Sequence, residues 1–301
     1  MKASKRRTRS PEPRAHAGRV AAGLLGMRLE DVWIALQAAC GPQALPEEIH
    51  RLRVATRRGT AVISAFRELI PSKERAWFRK RLARVRRTAG KARDLDLLAG
   101  RVSATSGKPR RRLVKALSKL REKSRRPLGK HLSQLVAKDW RHRVDRLLEH
   151  VRGCHGIAFG TVARRRLAPL AESFLQAASG SLRRPEELHA LRIRCKKLRY
   201  VLEIFSPALP AAAARDRCRK SLERLQETLG DFTDHVAAAQ RLDRWAYRAE
   251  TGTSRDDLLA LVDDEWQRAA AARKAFRTWW NRSRRRALRH GLEITLRRRF
   301  A

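Results

Sequence analysis

Apolar residues recur along most of the chain at the three- and four-residue spacing of amphipathic helices. Runs of β-branched residues are missing, and glycine and proline cluster between the periodic stretches instead of interrupting them. The pattern therefore predicts an all-α protein. It predicts eight helices in two sets of four, over residues 16–40, 46–69, 72–100, 110–151, 158–179, 185–206, 211–249 and 255–290.

The second set of helices repeats the first in sequence. Residues 46–54 (PEEIHRLRV) match residues 185–193 (PEELHALRI), which follow 139 residues later. One helix further along, a matched set lies at an offset of 140: Leu82, Arg84, Thr88, Gly90 and Asp94 against Leu222, Arg224, Thr228, Gly230 and Asp234. A repeat with one inserted residue indicates an internal duplication.

Local signals support the same helices. Pro46 and Pro185 each precede two glutamates, and proline followed by acidic residues favours a helix start. The third helix of each set carries a heptad-like apolar seam, which predicts packing against neighbouring helices. The seams are Phe78, Leu82, Val85, Ala89 and Ala92 in the first set, and Cys218, Leu222, Leu225, Leu229 and Phe232 in the second.

We therefore predict two four-helix halves, residues 15–152 and 157–290, divided at the glycine-containing stretch 152–156. Residues 1–14 are expected to form a disordered basic arm, and residues 291–301 a basic tail. Below, "first half" and "second half" denote these two ranges. The pattern does not indicate an oligomeric state.

The net charge of the chain indicates a class of binding partner. Lys and Arg total 71 against 30 Asp and Glu, a formal net charge of +41. Such an excess opposes compaction unless anions neutralise it, so we expect a polyanionic partner. Nucleic acid, an anionic membrane surface and inorganic polyphosphate all satisfy this requirement.

The cysteines and the lack of long apolar segments bear on the cellular compartment. Cys40, Cys154, Cys195 and Cys218 are scattered without metal-ligand spacing, which argues against a zinc site or a disulfide framework and favours a reducing cytoplasm. No segment approaches the roughly 20 apolar residues of a membrane span. We expect no cofactor.

A row of cations follows each histidine of the repeated motif. Residues three and seven positions after His50 share its helix face, and the same spacing follows His189. The rows are His50, Arg53, Arg57 and Arg58 in the first half, and His189, Arg192, Lys196, Lys197 and Arg199 in the second. Arginine binds phosphate through a planar fork of donors, and lysine binds it as a point charge.

The third helices add cations at matching positions, namely Arg79, Lys80 and Arg84 in the first half and Arg219, Lys220 and Arg224 in the second. Any one of these side chains is as compatible with a solvated helix face as with a site. The duplication of the whole set favours a binding site. Asp94 and Asp234 could hold magnesium, but we expect them to orient arginines or cap loops.

The repeated Pro-Glu-Glu-x-His-x-Leu-Arg motif, the run 196–205 (KKLRYVLEIF) and the stretch 90–96 (GKARDLD), echoed at 229–234 (LGDFTD), are similar to those of the CHAD domain. CHAD is an α-helical domain named for its histidines, and the resemblance covers about residues 15–290. It implies two four-helix bundles related by a pseudo-twofold axis, with a basic groove or pore that binds inorganic polyphosphate. The two histidine-led rows would then be the binding residues.

One departure affects the first row. Where the second half has residues 198–200 (LRY), the first has residues 59–61 (GTA). This replacement removes one cation and places glycine within a helix, so we expect a weaker or bent first-half end of the site.

The sequence thus favours a cytoplasmic protein that binds polyphosphate, with polyphosphate granules as a location to test. A nonspecific nucleic-acid-binding protein is the alternative, although the four phenylalanines of the repeat occupy apolar positions rather than interleaving with the cations. A magnesium-dependent polyphosphate hydrolase is a third hypothesis. It would need clustered carboxylates and a positioned base, which the basic rows lack.

Overall fold

The computed structural model describes residues 12–41, 44–104, 109–248 and 255–300, and these segments form an all-helical protein without a β-strand. They contain eleven α-helices: α1 Ala17–Ala39, α2 Pro46–Ala65, α3 Ser72–Ala104, α4 Pro109–Arg125, α5 Pro127–Val136, α6 Trp140–Arg152, α7 Phe159–Ser179, α8 Pro185–Phe205, α9 Ala212–Arg248, α10 Arg255–Trp279 and α11 Arg282–Leu296. A 3₁₀ turn, Ser206–Ala208, follows α8.

Two of the eight predicted helices are wrong in extent. The predicted helix 110–151 is three helices, because Pro127 begins a new one and Asp139 adopts a left-handed conformation with φ of 48°. The predicted helix 255–290 is two, divided at Asn281, whose side chain accepts a hydrogen bond from the backbone N–H of Arg284. The apolar periodicity continues across these breaks, which is why it did not mark them.

The helices that carry the repeated motif begin where the sequence predicted, at Pro46 and Pro185. In each, the second glutamate folds back over the helix start. The Glu48 carboxylate accepts from the Leu45 N–H at 2.7 Å, and the Glu187 carboxylate accepts from the Arg183 and Arg184 N–H groups. These bonds satisfy backbone donors that have no partner inside the helix and fix where the basic rows begin.

Helix packing follows a similar order in both halves. In the first half, α2 packs on α1 and α3, α3 packs on α4, and α6 covers α1. In the second half, α8 packs on α7 and α9, α9 packs on α10, and α11 contacts both α9 and α7. Contacts between α2 and α8 and between α1 and α7 join the halves.

Buried side chains form two clusters. The larger spans both halves, and the rings of Phe66, Phe159 and Phe205 meet in it with centroids 5.4–6.3 Å apart. The predicted seams of α3 and α9 are buried within it, which confirms them. The smaller cluster joins the C-terminal parts of α3 and α9 to α4 and α10. Helices α3 and α9 are therefore each stabilised by hydrophobic packing in two separate clusters.

Both predicted terminal segments contribute to the folded body. Residues 1–11 of the predicted arm lie outside the described residues, but the backbone of Pro13 accepts a hydrogen bond from the Gly160 N–H at 2.8 Å. At the other end, the predicted tail includes the last turns of α11 and the buried Phe300. Among the described helices, none combines the length and apolarity needed to cross a bilayer.

Candidate anion-binding site

The centre of the candidate site is an arginine that crosses from the second helix of each half to the third. Arg53 of α2 reaches Asp94 of α3, with Nη1 and Oδ1 3.7 Å apart. Arg192 of α8 reaches Asp234 of α9 at the same distance. Both guanidinium groups are largely buried, so these arginines are held in place and not free to sample solvent.

Glycines on the third helices make room for these arginines. A Cβ atom on Gly90 would lie 3.1 Å from Nη1 of Arg53, and one on Gly230 would lie 3.5 Å from Nη2 of Arg192. The matched Gly and Asp positions noticed in the sequence thus serve one arrangement: glycine admits the guanidinium and aspartate holds it.

Each aspartate is also contacted from the opposite half. Arg241 of α9 lies 3.6 Å from the Asp94 carboxylate, and Arg101 of α3 donates to the backbone carbonyl of Asp234 at 3.1 Å. Arg101 and Arg241 are themselves separated by the 140-residue offset of the repeat. These reciprocal contacts bring the two basic rows to one place.

The cations of α2 and α8 also affect one another's pKa. Burial, together with the neighbouring charges of Arg192 and Arg57, lowers the pKa of Lys196 to about 7. Burial also lowers the pKa of Arg192, and Arg57 of the first half adds to that effect. Cations of α2 and α8 therefore repel one another across the junction, which an anion would relieve.

Two further arginines of α3 belong to this region and were missed in the sequence. Arg93 is a neighbour of His50, whose pKa is lowered first by burial and then by Arg93. Arg86 donates to the hydroxyl of Thr60 at 3.4 Å and lies near Arg57. Arg86 and Arg93 are seven residues apart and so share a face of α3, and this spacing could have indicated further cations facing α2.

Arg86 supplies a cation at the first-half end of the site, where α2 itself lacks one. Arg199 in the second half aligns with Thr60 in the first, whereas Arg86 aligns with Gln226. Arg199 donates to the Gln226 amide oxygen at 3.1 Å. The same polar pair thus exists in both halves, with the arginine on α8 in one and on α3 in the other.

Gly59 does not interrupt α2. Helix α2 is continuous from Pro46 to Ala65, and Gly59 is buried. A Cβ atom there would lie 3.3 Å from Val32 of α1 and 3.5 Å from Leu82 of α3. Glycine at this position permits close helix packing.

The remaining predicted cations do not join the central group. Arg58 faces α1 and Lys197 faces α7, and His189 is exposed at the start of α8. Arg219 and Arg224 pair with Glu223 and Glu227, at 2.8 and 3.6 Å.

On α3 and α9, three more of the predicted cations are exposed, namely Arg79, Lys80 and Lys220. Arg84 lies on the opposite side of α3, in a cleft with α5. The predicted cations therefore fall into three groups: those at the centre of the candidate site, those exposed on the surface, and Arg84 in a separate cleft.

The acidic residues near the site hold arginines. Asp94 lies beside Arg53 and Arg241, and burial raises its pKa while these two arginines lower it. Asp96 is buried and pairs with Arg121 and Arg125 of α4 at 2.7 and 3.0 Å. Within the part of the chain that the structure describes, no three His, Cys, Asp or Glu side chains gather into a possible metal site.

An all-helical fold with a shared cationic centre defines the class, and comparison with known proteins supplies the family. The CHAD domain model matches residues 31–243, so the chain belongs to the CHAD domain family. That family is linked to polyphosphate binding in general.

Solved structures share this fold. A crystal structure of the CHAD domain from the plant Ricinus communis superposes with a TM-score of 0.74 and 21% identity, over 94% of each chain. PptA from Streptomyces chartreusis superposes with a TM-score of 0.57 and 18% identity, over 88% of this chain and 99% of PptA.

Two curated relatives come from Mycobacterium tuberculosis. They are the uncharacterized proteins MT2285 of strain CDC 1551 / Oshkosh and Rv2226 of strain ATCC 25618 / H37Rv, each 27% identical over 224 residues and 68% of this chain. The match spans 42% of the length of each relative.

Proposed function

We propose that this protein binds inorganic polyphosphate in a basic groove formed by both halves, which we interpret as duplicated helical units related by a pseudo-twofold axis. One observation carries the proposal: cations of α2 and α8 converge, so that Arg57 perturbs the pKa of both Arg192 and Lys196. Like charges held this close are unfavourable without a counter-anion.

A linear chain of phosphates fits this arrangement. Arg53 and Arg192 lie at equivalent positions beside the junction, and Arg57, Arg86, Lys196 and Arg199 extend the cations along the helices. Repeated anionic groups could contact successive side chains and release condensed counterions, as in protein binding to nucleic acid. Affinity should therefore fall steeply as salt rises.

Polyphosphate fits better than nucleic acid because bases need exposed aromatic faces beside the cations. The phenylalanines of the repeat, Phe66, Phe78, Phe205 and Phe232, are at most 5% exposed. They stabilise the core and cannot stack on a base.

We propose binding without catalysis, because the carboxylates at the centre are already engaged. Asp94 lies within 3.7 Å of arginines from both halves, and Asp234 lies beside Arg192. Carboxylate oxygens that already pair with guanidinium groups are less available to a metal ion, and no third His, Cys, Asp or Glu side chain of the described residues joins them.

The test is a titration of long-chain polyphosphate at fixed salt. The double variant Arg53→Glu/Arg192→Glu should lose at least about 100-fold in affinity, since reversing two buried charges costs at least ~2 kcal/mol each. The matched control Arg285→Glu/Arg286→Glu changes the net charge equally but lies on α11, away from the groove.

Equal losses in the two double variants would show that bulk charge, rather than a site, attracts the polymer. Competition provides a second test. DNA that displaced polyphosphate at equal phosphate concentration would favour the nucleic-acid alternative, and phosphate release abolished by Asp94→Asn/Asp234→Asn would favour the hydrolase.

A further inference from the structure

A second group of cations lies on the side of α3 that faces away from α2. Arg81 and Arg84 of α3, His131 of α5 and Lys138, which follows α5, line one cleft of about 160 Å³. Val85, Gln134 and Leu135 complete its lining, so none of the lining residues is acidic.

Neighbouring groups hold two of these cations in place. His131 Nε2 and the Thr88 hydroxyl are 3.0 Å apart, which fixes the imidazole ring against α3. The Arg81 guanidinium lies over the Trp77 ring, 4.6 Å from its centroid. A cation–π contact leaves the guanidinium N–H donors free to bond elsewhere.

Nearby charges do not neutralise the cleft. Glu74 pairs with Arg143, at 3.1 Å, and the Arg143 guanidinium also lies over the Trp77 ring. The Asp139 side chain accepts from the His142 N–H and caps α6. Burial and Arg84 lower the pKa of both Arg81 and His131, so the cations within the cleft repel one another.

We propose that this cleft binds a single phosphate group, at a site separate from the groove between the halves. Its volume suits a small anion, since a water molecule takes about 30 Å³ and pockets for larger organic ligands start at about 300 Å³. Two arginines supply forked donors, Lys138 supplies a point charge, and His131 supplies a donor when protonated.

Both inorganic orthophosphate and the terminal group of a polyphosphate chain carry this chemistry. The cleft is specific to the first half. Arg81 aligns with Ser221 in the second half, and Arg224, which aligns with Arg84, pairs with Glu227. The duplication therefore does not account for it.

The test is calorimetric titration with inorganic orthophosphate at low salt. Arg81→Gln/Lys138→Gln should weaken orthophosphate binding at least tenfold while changing the affinity for long-chain polyphosphate less than threefold. Arg57→Gln, a variant in the groove, should do the reverse. Orthophosphate binding that is unchanged in Arg81→Gln/Lys138→Gln, or lost in Arg57→Gln, would overturn the proposal.

A measurement on the wild-type chain removes dependence on the folding of any variant. Orthophosphate should raise the pKa of His131, followed by NMR of its ring, whereas chloride at equal ionic strength should not. An equal shift with chloride would show screening in place of a site. A His131 shift caused by polyphosphate but not by orthophosphate would place the cleft within the groove, and would also overturn the proposal.

Discussion

The two halves keep the same central geometry but differ in charge around Arg199 and the aligned Thr60. At the centre, an arginine, a glycine and an aspartate recur, and the Arg–Asp distance is 3.7 Å in both halves. Arg199 pairs with Glu203 and Glu223, whereas the aligned positions in the first half are Ser64 and Ala83.

The difference extends along the third helices. Glu227 and Asp231 of α9 align with Arg87 and Lys91 of α3. The second half thus pairs several of these cations with its own carboxylates, whereas the aligned positions of the first half carry no carboxylate. We therefore expect the cations of the first half to contribute more to polyphosphate affinity than those of the second, even though the central geometry of the two halves is the same.

The largest difference in polyphosphate affinity should come from substitution of Arg86 on α3 compared with Arg199 on α8. Arg86→Ala should reduce polyphosphate affinity tenfold or more, because a hydrogen bond to a charged group is worth ~1.5–3 kcal/mol. Arg199→Ala should reduce it threefold or less, because its charge is already balanced by two glutamates. Titration of both variants at one salt concentration makes the comparison.

Thermal unfolding of the two variants is the control, since each removes one side-chain hydrogen bond between the second and third helices. Similar melting temperatures with equal affinity losses would contradict the proposed asymmetry.

The next difference concerns pH. Lys196, whose pKa burial and the charges of Arg192 and Arg57 lower to about 7, aligns with Arg57 of the first half. Binding of an anion favours the protonated lysine and raises its pKa, so the complex takes up a proton above pH 7. Affinity should fall roughly tenfold between pH 7 and 8.5.

Lys196→Arg should abolish this pH dependence. Arg57→Lys should increase it, because the first half would then carry a titrating group at the same position. His50 does not interfere in this range, since burial and Arg93 lower its pKa. A wild-type affinity that is constant from pH 7 to 8.5 would argue against Lys196 in the site.

A smaller, opposite effect should follow from removing the internal carboxylates. Glu203→Gln/Glu223→Gln should raise polyphosphate affinity about threefold, because the Arg199 charge would then be free to attract the anion. Ser64→Glu/Ala83→Glu should lower it by a similar factor. If removal of the carboxylates instead weakened binding, they would be positioning Arg199 for the anion.

The smallest effect tests the glycines. Alanine in a helix is favoured over glycine by ~0.5–1 kcal/mol. Gly230→Ala should gain most of this stability, because its Cβ would be in ordinary contact with Arg192 at 3.5 Å. Gly90→Ala should gain less and should bind polyphosphate about twofold more weakly, because its Cβ displaces Arg53. Chemical denaturation and titration measure the two effects.

The sequence predicted the helical class, the starts of α2 and α8, and the buried seams of α3 and α9. Apolar periodicity and helix-start signals depend on residues that are close in sequence, so they can be recognised from the sequence alone. It did not predict the breaks near Pro127 and Asn281, where capping interrupts the backbone but the apolar period continues.

Of the candidate site, the sequence named Arg53, Arg57, Arg192 and Lys196 through the repeat. It missed Arg86 and Arg93, since neither aligns with a cation in the second half. It also grouped Arg84 with residues on the other side of α3. Alignment of the two halves identifies cations that occupy equivalent positions. It does not identify a cation, such as Arg86, that lies on a different helix from its counterpart in the other half.

By itself, the sequence determined an all-helical, strongly cationic chain with a duplicated motif, because composition, period and repeat are local properties. Only the tertiary structure decided that Arg241 reaches Asp94 across the halves and that Arg86 takes the place of a cation absent from α2. The reason is physical: electrostatic coupling depends on distance in space, and the packing of α2 on α8 sets that distance.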